Sequence, residues 1–234
     1  MEERSTRRFA AAFMGLLSLV ALVAGCSAAE PDEPVLEQPE ILSAAQVCGG
    51  TLFTPEAASA LGRVLQSSDF IVRDEEKNQS AAAMARTMED AYRAGSEVRN
   101  MPTGNCDISG MAQQIDGDGH YPSAQVWFTA FSKKAGIPED EPGGSDSGVM
   151  VAGAVRQWNI AFDCVSPRVG STADIPLRIT ATFRNQFDKG NGDETELVGD
   201  YKILAHSAAL SVAKELRCVD DGGLPGRAEG LPRA

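Results

Sequence analysis

Histidine, tryptophan and tyrosine are scarce in this chain, at two, two and three among 234 residues, and aromatics make up only 6%. So few imidazoles leave little material for histidine-based acid–base or nucleophilic chemistry. None of the five cysteines forms a CxxC pair or shows metal-ligand spacing, which removes the common zinc motifs. There is no glycine-rich phosphate cradle, so neither a metal nor a cofactor is expected. Basic residues are also few: 21 Lys and Arg stand against 33 Asp and Glu, a net charge of −12. A chain without a basic stripe is not built for nucleic acid, and its sign opposes adsorption to anionic lipid. The longest uncharged apolar run, Phe9 to Val23, falls short of the roughly 20 residues that a spanning helix needs.

That run has a different meaning. The opening MEERSTRR carries three arginines and two glutamates, and small residues follow the apolar stretch. A basic start, a short apolar run and a small-residue end make an export signal, here residues 1–25. Val23-Ala24-Gly25-Cys26 resembles the lipobox of bacterial lipoproteins: an aliphatic residue, two small ones and a cysteine. The resemblance covers about the first 30 residues. It implies that Cys26 receives a diacylglyceryl thioether, becomes the mature N-terminus after cleavage, and is acylated further, with palmitate as the label. Two or more acyl chains give a stable anchor where one gives a marginal one. Cysteine parity agrees, because setting Cys26 aside leaves an even four in an exported chain. Thr6-Arg7-Arg8 also admits twin-arginine export, although Ala10 stands where that motif prefers phenylalanine, so the route stays open.

Between Ser27 and Gln46 the chain has three prolines, five acids, no basic residue and no aromatic. Such a composition cannot bury enough apolar surface to offset its ordering entropy. Residues 26–46 are therefore expected to be a lipidated, disordered tether, holding the domain several tens of ångström off the bilayer. The signal contributes +1, so the mature chain carries −13, and only a covalent anchor would keep it at a membrane. Arginine outnumbers lysine fifteen to six and alanine is abundant. Together with the lipobox, and with a tail reading YKILAHSAALSVAKELRC, the chain resembles uncharacterised exported lipoproteins of high-GC, actinobacterial-type bacteria.

About 185 residues remain, enough for one domain with its own core. This is placed at residues 47–220, followed by a flexible tail at 221–234. Cys48, Cys106, Cys164 and Cys218 are spread nearly evenly along it. In an exported chain they read as two disulfides. Of the three possible pairings, Cys48–Cys218 with Cys106–Cys164 is favoured: one joins the domain's ends and the other staples two strands.

Thr54-Pro55-Glu56 opens a helix to about Leu65, with threonine as cap, proline in the first turn and glutamate against the dipole. Ala81, Met84, Ala85, Met88 and Tyr92 recur at helical spacing and predict a second helix from about Ser80 to Ala94. The methionines read as core filler. The period then becomes two. Gln125–Lys133, Val149–Cys164 and Leu177–Phe187 are expected strands, with a short one around Cys106. Leu177–Phe187 alternates so cleanly that it reads as half-buried. A last helix, from about Asp200 to Arg217, steps Leu204, Ala208, Val212 and Leu216 along one face. The fold expected is α+β: an antiparallel sheet of three to five strands, N-terminal helices and a C-terminal helix packed on it.

Chemistry is hard to find. His206 falls out of phase with Leu204 and Ala208 and is expected to be solvated or half-exposed. Asp200, His206 and Ser207 share one helix and cannot easily converge as a triad. His120 lies in the turn GDGHYP, and Ser145-Asp146-Ser147-Gly148 lacks the glycine run that would make it a protease motif. Asp116–Gly119 and Asp188–Glu196 fall short of calcium-loop spacing and read as surface turns. No catalytic residue is assigned. The expectation is an envelope lipoprotein on the outer face of the cytoplasmic membrane, a non-enzymatic binding or accessory module for a small apolar ligand, wall component or envelope protein. The alternative is an envelope hydrolase whose carboxylates are gathered only by the fold.

Overall fold

The structure is a computed structural model that describes residues 40–71, 79–94, 105–111, 121–132, 148–154, 156–186 and 194–233. Among these, seven strands form one sheet: β1 (Ile41–Ser43), β2 (Asp69–Ile71), β3 (Asn105–Gly110), β4 (Ser123–Ser132), β5 (Met150–Ala154), β6 (Gln157–Cys164) and β7 (Leu177–Asn185). The helices are α1 (Pro55–Leu65), α2 (Ala81–Arg93) and α3 (Glu194–Glu215). The strand order is β1-β2-β3-β4-β7-β6-β5, antiparallel throughout.

The class is α+β as expected, but the sheet is wider than three to five strands. Two of the extra strands, β1 and β2, span three residues each, too few to display an alternation. A third arises because Val149–Cys164 is not one strand. It folds back between Ala154 and Gln157, which pair, and Arg156 takes φ 68°. Two-residue hairpin turns usually announce themselves with Asn-Gly or Gly; Val-Arg does not.

The helices form as their caps dictate. The Thr54 side chain accepts from the Ala57 amide, Pro55 occupies the first turn, and Gln66 ends α1 in the left-handed region. The Ser80 side chain accepts from the Ala83 amide to start α2. Ala81, Met84, Ala85 and Met88 are all buried, as core filler should be. In α3 the expected face of Leu204, Ala208, Val212 and Leu216 is buried, but so are Ala205, Ser207, Ala209 and Leu210. This helix lies between the sheet and the other two helices and is enclosed on nearly all sides. It also starts earlier than expected, so Glu194, Thr195 and Glu196 are helical and Asp200 is interior, not a cap.

Alternate residues of the interior strands face the helices. Ile108, Val126, Phe128, Ile160, Phe162, Ile179 and Phe183 make this side of the core. The Phe183 ring stacks on Tyr201 of α3 at 5.7 Å between centroids. Strand β7 is not half-buried as its alternation suggested: Arg178, Thr180 and Thr182 on its other face are also shielded. It lies inside the sheet, between β4 and β6.

The disulfides are Cys48–Cys106 and Cys164–Cys218, which corrects the favoured pairing. Cys106 on β3 and Cys164 on β6 are separated by β4 and β7. At about 4.8 Å per strand spacing the two strands alone are roughly 14 Å apart, and Cys164 lies several residues further along β6 from the row of Cys106, beyond the reach of a disulfide. Each bond instead ties a sheet strand to a segment outside the sheet, on the side of α1 for Cys48 and after α3 for Cys218.

Both boundaries of the domain also move outward. Strand β1 falls inside the stretch assigned to the tether, and Leu42 is buried. At the other end the segment read as a flexible tail packs down, with Leu224, Ala228 and Leu231 in the core. Gly222 there has φ 71°, and an added Cβ would lie 2.5 Å from the Phe162 ring, so the close approach requires glycine. Composition hid this: scattered leucines among Gly and Pro read as loop, yet they anchor it.

Candidate functional site: the open face of the sheet

The sheet face turned away from the helices carries the candidate site. Register lines its side chains into rows. One row runs Asn105, Trp127, Thr182, Asn159 and Ala152; the next runs Thr129, Thr180, Ala161 and Met150. Where these rows reach β5, the side chains become small. Met150, Val151, Ala152, Asn159, Ala161 and Thr180 line a shallow, open hollow. Asn159 accepts a 3.1 Å hydrogen bond from the Gln157 amide, which fixes its orientation at the rim.

In the next row of the same face, Asp163 stands opposite Arg178. Arg178 is 3% exposed, and its Nη1 donates to the Gly148 carbonyl at 2.7 Å. The same Nη1 lies 3.3 Å from Asp163 Oδ1, an ion pair without hydrogen-bond alignment. The Gly148 amide donates to Asp163 Oδ2 at 3.4 Å. Arg178 and Asp163 thus hold the entry to β5 from both its backbone polar groups. On the helix side β5 is sealed differently: an added Cβ at Gly153 would lie 2.2 Å from the Trp158 ring. Only glycine lets the indole lie across that strand.

Two further partly buried carboxylates, those of Asp200 and Glu89, are paired with arginine. Asp200 takes a 2.6 Å contact from Arg63. Glu89 bridges Arg93 and Arg168 at 2.8 and 2.6 Å. Arg168 also donates to the Glu215 carbonyl at 2.5 Å, and Ser166 donates to the Leu216 carbonyl, so the end of α3 is capped by side chains. Among the described residues no group of three His, Cys, Asp or Glu is placed to hold a metal.

The three residues considered as a triad separate. Asp200 pairs with Arg63. The Ser207 hydroxyl donates to the Leu52 carbonyl at 3.1 Å and accepts from the Thr54 amide at 2.8 Å, so it anchors the start of α1. His206 is 5% exposed, not half-exposed as its phase suggested. Its Nε2 donates to the Pro225 carbonyl at 2.7 Å, because the C-terminal segment lies over α3. Residues Cys26, His120, Asp116–Gly119, Ser145–Ser147 and 188–193 lie outside the described residues.

Burial lowers the His206 pKa below its ordinary value, more than the Pro225 carbonyl, Glu229 and Glu56 raise it, and Lys202 lowers it further. The neutral ring is therefore the one the fold favours. Its contribution to stability is complete above the unfolded value, about 6.5, and falls as the pH drops below it. Thermal melts from pH 7.5 to 5 are expected to show a steeper decline for the native chain than for His206→Gln. Equal slopes would show that this ring does not carry the effect.

No family model matches the chain, and no curated protein or solved structure is significantly similar to it. Among the described residues no helix is long and apolar enough to cross a membrane.

Proposed function

We propose that this chain is an exported lipoprotein, anchored through Cys26 on the outer face of the cytoplasmic membrane, and that its domain is a non-enzymatic binding module. The observation that carries the binding reading is the hollow at the β5 end of the open face. Its lining is almost wholly apolar, and it stands on a covalently stapled sheet. Apolar hollows with a few fixed polar groups are the usual form of small-ligand sites. The anchor reading is supported by the lipobox-like Val23-Ala24-Gly25-Cys26 and the mature charge of −13. Two disulfides fit an oxidising compartment.

Two measurements test these halves separately. Metabolic labelling with radioactive palmitate is expected to mark the native protein and to leave Cys26→Ala unlabelled and released from membranes. Retention of the variant would remove the anchor. For the hollow, N-acetyl-leucine amide titrated into ¹⁵N-labelled protein is expected to shift the amides of Ala152, Asn159 and Ala161. Ala152→Trp, at the half-buried rim, should weaken that response at least tenfold (~1.4 kcal/mol). Shifts spread evenly over the domain would count against a site there.

A further inference from the structure

Among the described residues, strand β5 lacks the protection that sheet edges ordinarily carry. Among the described residues its only strand partner is β6, and the ladder between them runs without a bulge. Its sequence, MVAGA, has no charge and no proline. Natural edges are blunted by lysine, proline, bulges or a covering element, because unpaired N–H and C=O groups template further pairing. The opposite edge, β1, is only three residues long. Beside the bare ladder of β5 lies the apolar hollow, whose rim is Met150 and Ala152 of the same strand. With Trp158 sealing the helix side at Gly153, β5 offers its outer edge and its open face together.

We propose that β5 receives an extended segment of another protein by strand addition, with neutral or basic flanks and one apolar side chain set in the hollow. Two observations choose this occupant over a second copy of the chain. A five-residue strand paired with its own copy covers far less than the roughly 800 Å² per partner of a stable interface. Each mature copy also carries −13, so like copies repel while a basic segment is drawn in. A linear peptide needs only the backbone ladder for affinity and one side-chain pocket for specificity. The inference rests on reading the domain as a binding module but not on the lipid anchor.

The test uses the full chain in detergent and a fluorescein-labelled octapeptide of alternating lysine and valine, followed by anisotropy. Saturable binding is expected. N-methylation of every valine amide, or of every lysine amide, removes alternate donors, and only one of the two sets faces β5. One methylated peptide should therefore bind at least tenfold more weakly and the other nearly as well as the parent. Ala152→Trp should also weaken binding. Equal effects of the two methylation patterns would overturn strand addition, and equal binding of an alternating glutamate and valine peptide would overturn the choice of a neutral or basic segment as its occupant. Self-association in sedimentation equilibrium that the peptide reverses would make a second copy the occupant and overturn the proposal. Should N-acetyl-leucine amide still bind the hollow while no peptide binds, this inference fails and the binding-module reading stands; if neither binds, both fall.

Discussion

Replacing Cys164 and Cys218 together by serine is expected to lower the unfolding free energy by about 4 kcal/mol, the chain-entropy value for a loop of this length. The bond closes a separation of 54 residues and joins β6 to the segment after α3. Without it, the packing of Leu224, Ala228 and Leu231, with the His206–Pro225 and Val219–Val165 hydrogen bonds, must hold that segment. Both cysteines are changed so that no free thiol remains to exchange with the other pair. The readout is chemical denaturation of the oxidised protein and its variant, with the midpoint compared at unchanged slope. A loss below about 1 kcal/mol would mean that the apolar anchors already fix the segment in the unfolded ensemble or that the bond is strained. Non-reducing peptide mapping supplies the complement: fragments joining Cys48 to Cys106 and Cys164 to Cys218. A fragment joining Cys106 to Cys164 is incompatible with a sheet in which β4 and β7 lie between them.

Asp163→Ala is expected to cost about 3–5 kcal/mol, the range for removing one partner of a buried ion pair. The reason lies with Arg178. Its guanidinium is almost wholly shielded, and Nη2 has no hydrogen-bond partner among the described residues. With Asp163 gone, the charge keeps, among the described residues, only the Gly148 carbonyl. The double variant Asp163→Ala with Arg178→Met removes the buried charge as well and should recover most of the loss. A double variant as unstable as the single one would locate the damage in the Asp163 contact to the Gly148 amide instead of in the stranded cation.

Signals confined to neighbouring residues were legible in the sequence. Thr54 and Ser80 each stand three residues before the amide they cap, and both helices start there. The Met84–Met88 stripe and the alternation of β4 reflect burial on one side of an element, which periodicity reports directly, whereas the alternation of β7 hid that its other face is shielded as well. What escaped depends on partners distant in the chain. His206 is out of phase with the main face of α3, yet the C-terminal segment covers it. The hairpin between β5 and β6 lacks turn residues, so its two strands merged into one. Cysteine spacing counts the bonds but not which strands lie between them. The hollow itself comes from Ala152, Ala161 and Thr180 on three different strands, and alternation along any one of them gives a face without giving its depth.

The staple at Cys48 also has a mechanical meaning. Any pull transmitted from the N-terminal side reaches β1 first, three residues held at the margin of the sheet. Such a short ladder peels readily under load. Unravelling from residue 40 can release about 28 Å of slack, at roughly 3.5 Å per residue, before it meets Cys48. There the force passes through sulfur into β3 and bypasses α1 and β2 altogether. The molecule would give a little at its hem and then hold, keeping the hollow at the far edge undisturbed.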